Sequence, residues 1–169
     1  MNTATFYKVY GATERNDNLT RIGQKNWLLV YGFFKDNDTD NGGNYRKNYD
    51  HKPSVDELRS DIETLINQET DNAILNGFVW NEKSVYFSTE NQINFKAAYD
   101  LAVQSNGTTL PVKFKLGEDA DGSPVYHTFQ DLPSFTDFYT KAFAYISQCL
   151  NEGWKEKDNV DYQKLLNDE

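Results

Sequence analysis

His51, His127 and Cys149 are the side chains whose types suit acid–base, nucleophilic or soft-metal chemistry, and none has the company that such chemistry needs. A nucleophile works only with a base held in hydrogen-bond reach. His51 stands in YDHKPS just ahead of a helix start, and His127 lies within a strand; neither sits in a motif. No GxSxG elbow accompanies them, and the GxxxxGK[ST] and GxGxxG loops that cradle phosphates are absent. Cys149 falls on the apolar stripe of a helix, where burial keeps a thiol protonated and inert. One cysteine and two distant histidines do not close a tetrahedral zinc site. The expectation is no catalytic residue, no metal ligand and no cofactor.

Carboxylates are the remaining groups that could bind a cation or act as acid and base. Asp36, Asp38 and Asp40 alternate along a loop, the pattern that converges oxygens on a hard cation. In EF-hand register, however, the sixth position is Asn41 where glycine is needed and the twelfth is Lys47 where a bidentate glutamate is needed. A solvated acidic turn is the expectation there and at Glu118, Asp119 and Asp121. The chain has 26 acids, spread over caps, turns and tails, so spacing alone singles out no glycosidase pair. YRKNYDHK is the one basic, aromatic segment able to touch nucleic acid or sugar.

These residues must be placed by an ordered domain. The chain has 169 residues, enough for one ordinary domain or one with a small companion. Its mean hydropathy is low at -0.77, yet 15% of its residues are aromatic, and large rings build a core inside a polar shell. A net charge of -9 and a pI near 4.7 repel a phosphate backbone, so nucleic acid is not an expected partner. The start, MNTATFYKVYG, is not a secretion signal, and no apolar run reaches the roughly 18 residues of a membrane span. A soluble protein with no membrane partner, made in cytosol, is expected.

Periodicity predicts an α+β fold: small antiparallel sheets and hairpins packed with about three helices. Strands are predicted at Thr5 to Tyr10, Trp27 to Lys35 and Asn44 to Asp50, with Asp36 to Gly43 as a hairpin loop. Ser54 and Glu57 form a capping box, behind which Val55, Leu58, Ile62, Leu65 and Ile66 recur at helical spacing. A short helical turn over Asp71 to Asn76 stops at Gly77, and a hairpin pairs Phe78 to Trp80 with Val85 to Phe87. A second helix, capped at Ser88 or Thr89, carries Ile93, Ala97, Ala98, Leu101 and Ala102 to a stop at Asn106-Gly107. A second hairpin, Pro111 to Leu116 with Pro124 to Phe129, flanks GEDADGS. The last helix begins near Ser134, turns Phe135, Phe138, Ala142, Tyr145, Ile146, Cys149 and Leu150 inward, and frays at Gly153 into a charged tail.

From Ile74 to Val103 (ILNGFVWNEKSVYFSTENQINFKAAYDLAV), and on through LPVKFKLGEDADGSPVYHTFQDLPSFTDFYTKAFAYISQCLNEGWKEKD, the chain resembles an uncharacterised C-terminal domain family of bacteriophage tail and virion proteins. FKAAYDLAV, YHTF and CLNEGWKEKD are most similar to versions in crAss-like phages of gut Bacteroidetes. The resemblance covers Pro53 to Asp158 and rests on phrasing and element order. Asn81-Glu82 stand where the family often has glycine, and Tyr86-Phe87 replace a more usual Trp-Leu. It implies residues 53–158 as a phage-type α+β domain, residues 1–52 as a β-rich attachment segment and residues 159–169 as a charged tail.

Together these readings lead to a non-enzymatic virion structural component, associated with tail, fibre or head decoration and acting through protein–protein contacts. Its expected partners are other virion proteins and further copies of itself, in a homo-oligomer assembled after synthesis in the host cytoplasm. The alternatives are a tail or fibre assembly chaperone and a receptor- or glycan-binding module. Trp27 to Phe34 is too apolar for a free strand edge, so Trp27, Tyr31, Phe33, Tyr45 and Tyr49 are the expected interface residues.

Overall fold

The computed structural model describes residues 5–35 and 42–167, so the Asp36, Asp38, Asp40 loop lies outside the described residues. The elements are β1 (Tyr7–Tyr10), β2 (Asn18–Ile22), β3 (Asn26–Lys35), β4 (Gly42–Tyr49), α1 (Val55–Asn76), β5 (Phe78–Trp80), β6 (Lys83–Val85), α2 (Thr89–Gln104), β7 (Val112–Glu118), β8 (Pro124–Phe129), α3 (Leu132–Asp158) and α4 (Tyr162–Asn167). The fold is α+β, with a four-stranded antiparallel sheet, two hairpins and three substantial helices. Its contacts form two compact units, residues 1–66 with 157–169 and residues 67–156.

In the first unit the strand order is β1-β4-β3-β2. Trp27, Leu29 and Tyr31 stand opposite Tyr49, Lys47 and Tyr45, and this face meets Leu58, Ile62, Leu65 and Ile66 of α1 with Tyr162 and Leu165 of α4. β3 is apolar from Trp27 to Phe34, as suits a central strand paired on both sides, while the short, largely exposed β1 and β2 are the edges. Between Tyr31 and Phe34 the register slips at Gly32, whose φ of 66° suits glycine. The peptide groups that leave the ladder are recaptured by side chains. Gly32 N–H donates to Asp17 Oδ1 at 2.7 Å, and its carbonyl accepts from Asn44 Nδ2 at 2.6 Å. Lys47, only 8% exposed, is paired with Asp61 of α1 at 2.7 Å, and the Tyr49 hydroxyl donates to the same carboxylate at 2.7 Å.

α1 starts on the predicted box: Glu57 N–H donates to Ser54 Oγ and Ser54 N–H to Glu57 Oε2. It then runs unbroken to Asn76, since no glycine or proline intervenes before Gly77 to separate the expected short turn. β2 and α4 were not anticipated. α4 lies within the charged tail, where Asp161 caps it by accepting from Lys164 N–H and Tyr162 and Leu165 turn inward.

The second unit surrounds an aromatic core of Phe78, Trp80, Phe87, Phe95, Phe129, Phe135 and Phe138. Phe129 stacks on Phe135 with centroids 4.3 Å apart, and Phe138 meets Trp80 and Phe95 edge-on. β5 and β6 turn through Asn81 and Glu82, both at positive φ, so the second strand spans Lys83 to Val85, ahead of the expected Val85 to Phe87. α2 corrects a further expectation. Its buried residues are Phe95 and Ala102, whereas Ile93 (62% exposed) and Leu101 face outward, because the helix is apolar on two sides and the aromatic side won the core. α3 passes through Gly153 without fraying. That glycine is buried, and a Cβ there would meet Thr70 Oγ1 at 2.5 Å, so it serves close helix packing.

Candidate functional site

Trp27, Tyr31, Tyr45 and Tyr49 lie buried in the first unit's own core, so the intact fold leaves their rings almost no surface to offer a partner. Phe33 differs: it follows the Gly32 irregularity, is 37% exposed and lies over Gly42. Tyr7 and Tyr10 on the edge strand β1 are also exposed.

The histidines occupy two distinct settings. His51 is exposed, with Nδ1 2.8 Å from Asp50 Oδ1 and Nε2 3.0 Å from Glu57 Oε1. These contacts, Asp50 first, hold its pKa above the ordinary histidine value; Glu57 is held below the usual carboxylate value by the Ser54 backbone N–H and then by His51. The result is an ionic staple on the α1 cap. His127 packs edge-on against Trp80 and Phe129, with Lys83 Nζ 3.2 Å from its Nδ1. Burial, then Lys83, lowers its pKa, so the neutral ring accepts from the ammonium. Trp80 Nε1–H donates to Asp137 Oδ2 at 2.9 Å, which Lys141 also contacts. Cys149 is buried as expected.

A cleft of about 620 Å³ lies in the second unit, where the two hairpins join. The join is fixed by Tyr86 N–H donating to Leu116 O at 2.7 Å, and by Gly117, where a Cβ would stand 3.0 Å from Ser84 O. The first turn of α2 closes one wall. Asn91 Nδ2 donates to Tyr86 O and Gln92 Nε2 to Phe87 O, both at 2.8 Å, while Ser88 Oγ accepts from Asn91 N–H. These bonds satisfy the connecting backbone and pre-form the cleft. Lys115 and Glu118 in the opposite wall are ion-paired at 2.7 Å, and Tyr86 and Glu90 are exposed.

None of the cleft residues was singled out as a site from the sequence. The one local signal is Gly117 inside a strand, which marks close backbone approach. Asp119 Oδ1 accepts from Asp121 and Ser123 N–H, tying the acidic hairpin tip into a turn. Among the described residues no group of three or more His, Cys, Asp or Glu side chains converges as metal ligands, and no helix is long and apolar enough to cross a membrane.

No curated protein and no solved structure matches the chain. A family model described as a domain of unknown function matches residues 57–169, spanning most of α1 and everything after it. The chain belongs to that family, DUF4376.

Proposed function

We propose that this protein is a non-enzymatic structural component of bacteriophage virions, associated with tail, fibre or head decoration, and that it works through contacts with other virion proteins and with further copies of itself. The observation that carries the contact role is the outward apolar surface of the second unit. Ile93 and Leu101 lie two turns apart on α2; Phe143 (67% exposed) and Trp154 lie about three turns apart on α3. The phage setting is supported by the phrases between Ile74 and Asp158. A transient tail or fibre assembly factor is the second reading, since the same surfaces serve a partner that is later released.

Two measurements test this. Light scattering on the purified full chain is expected to give a mass above the monomer's 19.5 kDa, lowered by Leu101→Glu or Phe143→Glu. Mass spectrometry of washed particles is expected to find abundant copies. A monomer missing from particles overturns the proposal, and an oligomer found only in assembling lysates selects the assembly factor.

A further inference from the structure

We propose that the cleft between β6, the first turn of α2 and β7 is a binding site for a neutral sugar or short glycan, a reading independent of the virion assignment. About 620 Å³ is within the range of small-ligand sites. The lining narrows the chemistry. Its cation, Lys115, is occupied by Glu118 at 2.7 Å, and Glu90 adds a carboxylate without an ion-pair or hydrogen-bond partner among the described residues. That balance opposes an anionic ligand, and Glu90 already answers the positive end of α2.

Ser84, Ser88, Asn91 and Asn76 set polar groups beside the apolar lining of Val85 and Leu116, so a ligand that offers both hydroxyls and C–H faces matches the walls better than a purely apolar one. A polyhydroxylated, uncharged molecule fits what remains. Its hydroxyls donate to Glu90 and exchange bonds with serine hydroxyls and amide oxygens, and its C–H faces pack on Tyr86, a lining residue that is 45% exposed. The backbone of the Tyr86–Ser88 link is already bonded to α2, so little ordering cost opposes binding.

The test is a glycan array of neutral mono-, di- and oligosaccharides probed with the full chain, each hit then titrated while amide NMR signals are followed. The expected result is a saccharide that shifts the amides of Tyr86, Glu90 and Gly117. Its affinity should be insensitive to added salt and should fall about tenfold or more in Tyr86→Ala and Glu90→Gln. Both positions are exposed, and the same spectra report whether each variant is folded. The proposal is overturned if no saccharide shifts the cleft at about 10 mM, on the order of the weakest useful affinity, or if shifts map elsewhere. It is likewise overturned if the affinity for the neutral saccharide falls steeply with salt, which an uncharged ligand held by hydrogen bonds does not do, or if the saccharide is cleaved, which makes the cleft an active site. Because neither phage particles nor self-association enters this test, its failure leaves the virion reading untouched.

Discussion

Asn44 and His51 show how single side chains carry the first unit. Asn44 is 4% exposed, and its amide is the donor that holds the Gly32 carbonyl outside the ladder. Asn44→Ala should cost about 1–3 kcal/mol, the desolvation of an orphaned buried acceptor, read as a lower urea midpoint at unchanged slope. His51 sets a pH dependence. Its folded pKa is raised, so its contribution is complete below the ordinary histidine value of 6.5 and is lost as pH climbs through the higher folded value. Glu57 runs the other way, contributing fully above the ordinary carboxyl value of 4.5 and losing that contribution as pH falls through its lowered pKa. The α1 cap is therefore strongest in mildly acidic solution. His51→Gln should flatten the decline in thermal midpoint from mildly acidic to alkaline pH; an unchanged decline would remove His51 as its source.

At the scale of elements, close approaches of backbone decide what holds. In β4 a Cβ on Gly43 would lie 2.3 Å from Val9 O, so Gly43→Ala should push β1 off the sheet at a cost of about 1–3 kcal/mol or more, with amides of Tyr7–Tyr10 losing hydrogen-exchange protection ahead of β3. The β5–β6 turn predicts the opposite sign. A left-handed conformation costs an L-residue about 1–2 kcal/mol and glycine's extra entropy returns about 0.5–1 of it, so Glu82→Gly should stabilise by about 0.5–1 kcal/mol. Elements with one dominant local signal were legible: the Ser54 box, the Leu58, Ile62, Leu65 and Ile66 stripe, the β7–β8 hairpin and, apart from its second strand's bounds, the β5–β6 hairpin, and Phe135, Phe138, Ala142 and Cys149 on α3. Elements settled by competition were not. α2 offers two apolar faces, and α4 brings only Tyr162, Leu165 and Leu166 amid charges, which become a core stripe only beside the sheet. The cleft was illegible because ordinary polar residues from Ser84 to Asn91 meet Lys115 to Glu118 only through the hairpin join.

For the whole molecule, charge and surface pull against each other. A net charge of -9 per chain opposes self-association, whereas the apolar residues on α2 and α3 favour it. If copies associate as proposed, adding salt should raise the weight-average mass by screening the repulsion, and sedimentation at low and moderate ionic strength measures this; a mass that falls with salt would identify ion pairs as the contact instead. The two units also differ in how the chain assembles them. The second is one uninterrupted segment, whereas the first draws on both sides of it. α4, which supplies Tyr162 and Leu165 to the first core, follows the entire second unit in the chain. During synthesis α1 is available to cover its share of the sheet's face early, whereas the share that Tyr162 and Leu165 cover must wait for the other unit and for α4 beyond it. A chain interrupted before α4 leaves that part of the face open to chaperones and proteases, so α4 works as a late seal on the first core.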